Sequence, residues 1–505
     1  MRRQALLGLG LAGATVAGLQ AAVSCARETR SGRQPPLATE RDKIAHLLRR
    51  AGFGYSFDDL DYYANFGVGG TIDRLLDYEQ IEDDVEQRLE HVHLDLTRPA
   101  DLQRWWLLRM IYTKRPLQEK MTLFWHGRLV SQTGKVPQPR PRPDLPNPPN
   151  LMLDQNQFFR AHALDGFATI MKGISRDPAM VIYLDTRDNR KGKPNENYAR
   201  EVMELFTLGI YGPDGKPNYT EQDVREAARA FTGWGLDRQQ RFSFNPTQHD
   251  AGTKTIFGKT GNFDGDDVID LIMAHPACAP HICGKLFGFF AYDDPEPAAL
   301  APVIDAFRGS NGSIKAALRA IFTSPAFFSE KAYRAKVKSP AEFIAGMARA
   351  LQVETDALNF PVSAQRMGQT LFNPPNVAGW PGGGQWFATN TWLARLNHAG
   401  QLLSARQDAH TRPLKLSDVV RRFGLYTPEK MVDFLLQLFV DGQVLTEQRQ
   451  VLLDYATKGV DWPPAPAAGQ TPVAGGGFDD THPVVDGKMR GLLYLIMSAP
   501  EYHLA

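Results

Sequence analysis

Asn195 to Gly209 reads Asn-Glu-Asn-Tyr-Ala-Arg-Glu-Val-Met-Glu-Leu-Phe-Thr-Leu-Gly, and Tyr219 to Trp234 reads Tyr-Thr-Glu-Gln-Asp-Val-Arg-Glu-Ala-Ala-Arg-Ala-Phe-Thr-Gly-Trp. Between them lies Gly212-Pro213-Asp214-Gly215-Lys216-Pro217, a run of turn residues. The stretch predicts two helices folded back on each other. Asn195 is a good N-cap type, whose side chain accepts an orphan backbone N–H. Gly209, ahead of Pro213, marks the stop. Tyr198, Val202 and Leu205 fall at i, i+4 and i+7 and make one apolar stripe. Glu196, Arg200 and Glu204 lie four apart on the far side, where they pair as a charge ladder. Glu201 stands off that ladder and flanks the stripe beside Leu208. A carboxylate aimed at a core edge costs desolvation unless something pairs with it. In the second helix Thr220 and Asp223 form a capping box. Val224, Ala227, Ala228 and Phe231 are its residues to bury.

Helical patterns continue on both sides of this hairpin. Asp42 to Arg50, Ser56 to Asn65, Thr71 to Asp77, Asp101 to Tyr112, Pro116 to Leu129, Gln155 to Met171 and Pro178 to Leu184 precede it. Asp266 to Met273, Pro280 to Phe290, Pro302 to Phe307, Ser313 to Phe322, Pro340 to Leu351, Trp386 to Leu403, Pro428 to Val440, Thr446 to Tyr455 and Lys488 to Met497 follow. Val136 to Pro149 is too dense in proline for helix. Asn373 to Gly384 and Pro463 to Gly477 are Pro/Gly-rich loops. Only Arg241 to Phe257 reads differently. Phe242 and Phe244 alternate with polar residues, Pro246 to Gly252 turns, and Lys254 to Phe257 returns. That predicts one β-hairpin, with His249 and Asp250 at its turn. The fold class is therefore mainly α: a multi-helix globular body with one small β-hairpin and long Pro/Gly-rich loops. Residues 40–505 are expected to form a single large helical domain. A C-terminal helical subdomain from about residue 405 is the alternative division.

Two groups of residues are candidates for chemistry. The first is polar and central: Asp185, Asp188, Asn189, Asn195, Glu196, Arg200, Glu201 and Glu204, with His249 and Asp250 from the turn and His126 from an earlier helix. Mixed His and carboxylate donors suit a divalent metal. A metal-bound water beside Glu201, with Glu204, His249 and Asp250 near it, would support hydrolysis, the Glu serving as general base. The bland alternative stands beside it: Glu196, Arg200 and Glu204 as a solvated ladder, Glu201 paired to Arg225 or Arg229, and His249 and Asp250 capping a turn. The second group is aromatic: Trp380, Trp386, Phe387 and Trp392, with Asn376 and Arg395 among their polar neighbours. Tryptophan faces beside amide and guanidinium donors suit a sugar ring. Tryptophans that merely pin a loop to the core are the alternative. His275, Cys278, His281 and Cys283 form a compact His/Cys group, but zinc sites usually draw on separated ligand pairs. On one helix the two thiols would lie roughly 8–9 Å apart, too far for a disulfide, unless Pro280 breaks that geometry. No nucleophile elbow and no phosphate-cradling Gly-rich loop is present.

Several blocks resemble a known family. They are Ala45-His46-Leu47-Leu48-Arg49-Arg50-Ala51-Gly52-Phe53-Gly54, Lys120-Met121-Thr122-Leu123-Phe124-Trp125-His126, the Asn195–Trp234 hairpin, and Asn373-Pro374-Pro375-Asn376-Val377-Ala378-Gly379-Trp380-Pro381-Gly382-Gly383. In this order they resemble the bacterial domain of unknown function 1800 family, over about residues 40–505. The family carries no established activity, so the resemblance implies no chemistry. Its members are often encoded beside a second exported family with a sulfatase-like look. The resemblance thus implies a co-exported sulfatase-like partner and an accessory role.

The chain of 505 residues carries a net charge of +1, so no basic field points to nucleic acid. Arg2 and Arg3 precede a weakly apolar, Gly-rich run from Ala5 to Val23, which reads as a twin-arginine export signal over residues 1–24. An ordinary secretory signal or a membrane anchor is the alternative. Ala22-Val23-Ser24-Cys25 resembles a loose lipobox, with Cys25 as the acylated first residue of the mature chain; otherwise cleavage falls at an Ala-x-Ala-like site. Residues 25–39 are a linker. Nothing later reaches the ~18 apolar residues that span a bilayer. The expected location is the periplasm or a lipid-tethered position facing the periplasm or exterior. Twin-arginine export implies folding before translocation, often with a cofactor loaded, an indirect pointer to a metal. Two functions follow as expectations. One is a binding or accessory lipoprotein for an envelope glycan or a co-exported partner. The other is a metal-assisted envelope hydrolase built on Glu201, His249 and Asp250.

Overall fold

The computed structural model describes residues 35–404, 410–412, 416–459, 462 and 483–505. The export segment, Cys25 and the Pro463–Gly477 loop lie outside the described residues. The fold is mainly α, with only short antiparallel strand pairs beside the helices. No described helix is long and apolar enough to cross a membrane.

The centre of the molecule is built from Pro99–Tyr112 and Pro116–Arg128, helices that are buried on almost every side, polar residues included. Trp106, Leu107, Leu108, Leu117 and Met121 are fully buried. The few charges that enter this core are paired. Glu119 accepts from Arg109 Nε at 2.9 Å, Arg160 Nε at 2.5 Å and Trp106 Nε1 at 3.0 Å. Burial pushes its carboxyl up, but the guanidiniums of Arg160 and Arg109 outweigh burial and hold it down at about 2. Lys120 Nζ donates to the Gly52 carbonyl at 2.9 Å and to Glu342. Asp441 is bound by Arg49 at 2.7 Å, Arg334 at 3.0 Å and the Tyr333 hydroxyl at 2.9 Å. These contacts tie the first helix, Glu40–Ala51, to Pro428–Val440 and to the chain's last residues. One contiguous apolar core runs from Ile44 to Tyr502.

Two expectations change, and one alternative is settled. The single helix expected over Gln155–Met171 is two, Leu151–Ala161 and Phe167–Arg176. The break lets Phe167 donate to the Gly312 carbonyl at 2.8 Å, and Gly166 supplies the extended residue that starts the second helix. The single hairpin over Arg241–Phe257 is also two. Phe242–Phe244 pairs backward with Trp234–Leu236, and Lys254–Ile256 pairs forward with Lys259–Gly261. Trp234 and Phe242 meet edge to face at 5.2 Å, an aromatic contact that favours the earlier partner. Pro280 does not break its helix: it lies in the first turn of Cys278–Phe290, where its missing N–H would have had no partner. Cys278 and Cys283 are buried free thiols.

The central hairpin forms with one departure. Glu221–Ala230 begins at the Thr220–Asp223 capping box and buries Val224, Ala227 and Ala228, with Phe231 just beyond. The first helix is regular only over Asn197–Glu201 and then widens into a π-turn over Val202–Thr207. Leu208 and Gly209 both donate to the Met203 carbonyl, at 2.9 and 3.1 Å. That leaves later carbonyls without helical partners. His281 Nε2 reaches the Leu205 carbonyl at 3.3 Å, and Asn218 Nδ2 lies 3.0 Å from those of Leu208 and Gly209. Gly209 adopts φ +73°, and a Cβ there would stand 2.8 Å from His281 Nδ1.

Candidate functional site

The site begins where Pro116–Arg128 ends. Beyond Leu371, Phe372 takes a left-handed conformation with φ 62°. Its N–H donates to His126 Nε2 at 3.1 Å, and its carbonyl accepts from Thr133 N at 2.9 Å. Asn373 Oδ1 accepts from Gly134 N at 3.2 Å, and Asn376 Oδ1 from Ala378 N at 2.9 Å. These bonds turn the Pro/Gly loop onto the last helical turn. Gly379, φ +82°, lies so close that a Cβ would stand 2.3 Å from the Gly127 carbonyl. Trp380 follows, half-buried, with its ring 5.6 Å from the His126 imidazole. Burial drives the His126 pKa down to about 3. The ring is therefore neutral, and because Nε2 accepts, its proton sits on Nδ1.

Trp380 lines a cleft of about 910 Å³. Arg128 enters it from the last turn of Pro116–Arg128, and His281 and Lys285 enter from Cys278–Phe290. All three are half-buried. Among the described residues Arg128 and Lys285 make no hydrogen bond and no ion pair. Burial lowers the proton affinity of Lys285, and the Arg128 charge lowers it further. Burial, then Lys285, also push His281 down to about 4, so it is neutral near pH 7. Volume, an aromatic wall and a few convergent polar groups are what a small-molecule or glycan site requires.

The sequence-predicted residues divide on this geometry. Trp380 and Trp386 both line the cleft, although Trp386 is only 5 % exposed and supports the loop from beneath. Asn376 is exposed and holds the loop's turn. Arg395 does not reach the cleft. It is fully buried, donates to the Lys338 carbonyl at 2.8 Å and lies over the rings of Phe343 and Phe387. His126 is spent on Phe372 and stands behind Trp380 rather than beside Glu201.

The polar cluster is not brought to one point. Asp250 is bound by Arg229, Nε at 2.7 Å and Nη2 at 3.2 Å. That guanidinium, with the Asp250 carboxylate's own acceptance of Gly252 N, holds the carboxyl low, at about 2. His249 Nδ1 meets the Thr232 carbonyl at 2.9 Å. Arg200 joins Glu196 at 3.0 Å as expected, but its other partner is Glu221 across the hairpin, at 2.7 Å, and not Glu204. Glu204 accepts instead from the Tyr219 hydroxyl at 3.4 Å. Asn195 Oδ1 accepts from Asn197 N at 3.0 Å, but the N-cap is Glu196, so Asn195 stands one residue before the capping position expected of it. The trio His249, Asp250 and Glu201 therefore does not form a metal-binding set. Among the described residues no group of three His, Cys, Asp or Glu side chains is placed to hold a metal. His275, Cys278, His281 and Cys283 likewise do not converge: His281 is turned to Leu205, and Cys283 Sγ to the Val303 carbonyl at 3.8 Å.

Glu201 stays apart from all these pairs. It is half-buried at the start of the π-turn and makes no hydrogen bond or ion pair among the described residues. Burial raises its pKa, and the neighbouring Glu204 charge raises it further. Neither Arg225 nor Arg229 pairs with it; they bind Glu196 and Asp250.

Arg128 and Lys285 were missed in the sequence, and His281 was named there only as one of a His/Cys group, yet a signal for the two cations was there. Arg128 has Phe124, Trp125, Ser131 and Gln132 at three and four residues' distance, and Lys285 has His281, Ile282, Gly288 and Phe289. Neither has a local acid to pair with along its helix.

What fold and site define is a mainly helical protein with a polar, tryptophan-walled cleft between two helices and a rigid Pro/Gly loop. The chain belongs to the family described as "Protein of unknown function (DUF1800)", whose model matches residues 46–504. No curated protein and no solved structure matches it.

Proposed function

We propose that this is an exported envelope protein that binds an envelope polymer in the Trp380 cleft, as a binding or accessory protein for that polymer or for a co-exported, sulfatase-like partner. One observation carries the reading: a cavity of about 910 Å³ holds a tryptophan together with a guanidinium and an ammonium that no carboxylate bonds directly among the described residues. A sugar ring stacks on an indole face, and the flanking donors fix its orientation. Export through residues 1–24 and tethering through Cys25 belong to the same proposal. The test is sedimentation of the purified protein with isolated envelope polymer. Wild type is expected to pellet and Trp380→Ala to stay in solution. Failure of wild type to pellet, or equal pelleting of the variant, contradicts the reading.

A second reading, an envelope hydrolase, is favoured by one observation. Glu201 is an unpaired carboxyl with raised proton affinity at a π-turn, and both features recur at functional sites. In this reading Glu201 carries the proton as general acid–base. Release of soluble fragments from envelope polymer by wild type, lost in Glu201→Gln, would support it. Equal release by both would remove it.

A further inference from the structure

We infer that Arg128 and Lys285 make the cleft a seat for an anionic saccharide: a sugar whose carboxylate, phosphate or sulfate lies between the two cations while its ring lies against Trp380. This rests on the reading of the cleft as a polymer-binding site.

The other charges around the cavity are accounted for. Asp293 is bound by Lys336 at 2.5 Å. Glu342 is held by Lys120 and by the Ser339 N–H at 2.7 Å. Arg50 is saturated by carbonyls, Phe290 at 2.8 Å, Phe289 at 2.9 Å and Ala505 at 3.4 Å among them. Asp294 is exposed at the rim; it acts on Lys285, and Asp293 acts on both cations, through space, but neither carboxylate bridges to Arg128 or Lys285.

What remains is two like charges, half-buried and facing one cavity. Each has lost part of its hydration, and the Arg128 charge weighs on Lys285. An anion placed between them gains from both and removes their mutual repulsion. The pair is chemically complementary: the guanidinium offers a planar fork to two oxygens, and the ammonium acts as a point charge. His281 adds no charge, because it is neutral near pH 7 and its Nε2–H is taken by Leu205. A bare anion would leave most of the cavity empty, and it would have no use for the Trp380 face.

The test is calorimetric titration of the purified chain with glucuronate, glucose and inorganic phosphate, at low and moderate salt. Glucuronate is expected to bind at least about tenfold tighter than glucose, by a margin that salt reduces, and phosphate to compete with it. Lys285→Gln and Arg128→Gln are each expected to weaken glucuronate by about tenfold and to leave glucose binding unchanged. Both side chains face the open cleft, so both variants should fold, which equal urea midpoints would check. Should Arg128→Gln fail that check, Lys285→Gln alone carries the test. Equal affinity for glucose and glucuronate, or full glucuronate affinity in Lys285→Gln, overturns the anion seat. Loss of polymer pelleting in Trp380→Ala, alongside such a result, would leave the polymer reading standing by itself. Phosphate binding that depends on Lys285, with sugar binding indifferent to Trp380→Ala, would reduce the site to a bare anion site and overturn the saccharide.

Discussion

Replacing Gly379 by alanine tests whether the loop that carries Trp380 is held as tightly as its contacts require. Two costs add. The left-handed backbone, φ +82°, costs an L-residue about 1–2 kcal/mol. The new Cβ would also stand 2.3 Å from the Gly127 carbonyl oxygen, well inside any real Cβ contact. Relief needs a shift of roughly 1 Å, and the helix backbone at Gly127 cannot supply it. The loop must move, and it then strains the Phe372–His126 bond at 3.1 Å and the Asn373–Gly134 bond at 3.2 Å. The expected total is about 2–4 kcal/mol. Gly383→Ala is the internal control. Its φ is +58°, but a Cβ there meets nothing within 4 Å, so only the conformational cost of about 1 kcal/mol applies. Urea unfolding followed by far-UV circular dichroism reads both, as a shift in midpoint at constant slope. Gly379→Ala should also lose polymer binding, because Trp380 leaves its place. Equal destabilisation by the two variants, or a Gly379→Ala protein within about 0.5 kcal/mol of wild type, would refute the reasoning.

Two further outcomes follow from buried carboxylates. Asp441→Asn leaves Arg49 and Arg334 facing each other in the core without their anion, and should cost about 3–5 kcal/mol in urea unfolding; a loss under about 1 kcal/mol would contradict the pairing. Asp177 is pushed up to about 7 by burial, from an ordinary value of 3.8. The folded state holds the proton more tightly than the unfolded state, so its contribution is full below about pH 4 and is lost as pH rises to about 7. Asp177→Asn keeps the acceptor for Met180 N and Gln155 Nε2. At pH 8 it should be about 1–3 kcal/mol more stable than wild type, with a flatter profile between pH 4 and 7; an unchanged profile would contradict this.

The helical architecture was legible because its signals are local. Thr220 with Asp223, Pro116 at a first turn and the stripe of Val224, Ala227 and Ala228 each fix a helix without knowledge of the rest. The strand partners were not legible. The period-two pattern of Phe242 and Phe244 identifies a strand, but Trp234–Leu236 is the partner only because the chain returns to it in space. The π-turn was hidden for a similar reason: it is stabilised by His281, more than seventy residues later in the chain. The resembling blocks stood out as motifs, but much of their content is structural. Arg49, Arg50, Lys120 and His126 are struts that satisfy one another's neighbours across the core. The polar cluster dissolved because a sequence shows which carboxylates exist and not which arginine reaches them first, as Arg229 reaches Asp250. The aromatic loop is brought in part to the cleft. Trp380 stands on the loop and faces a cavity, whereas Arg395 lies in the following helix, Thr389–Leu402, on its buried face.

The most direct measurement uses fluorotryptophan incorporated throughout the chain and followed by ¹⁹F NMR during titration with glucuronate. The Trp380 signal is identified by its loss in Trp380→Phe. It is expected to shift with saturation while those of Trp106 and Trp125, sealed in the core, stay fixed. A ligand that binds without moving the Trp380 signal, or that moves all three alike, would contradict a site in this cleft.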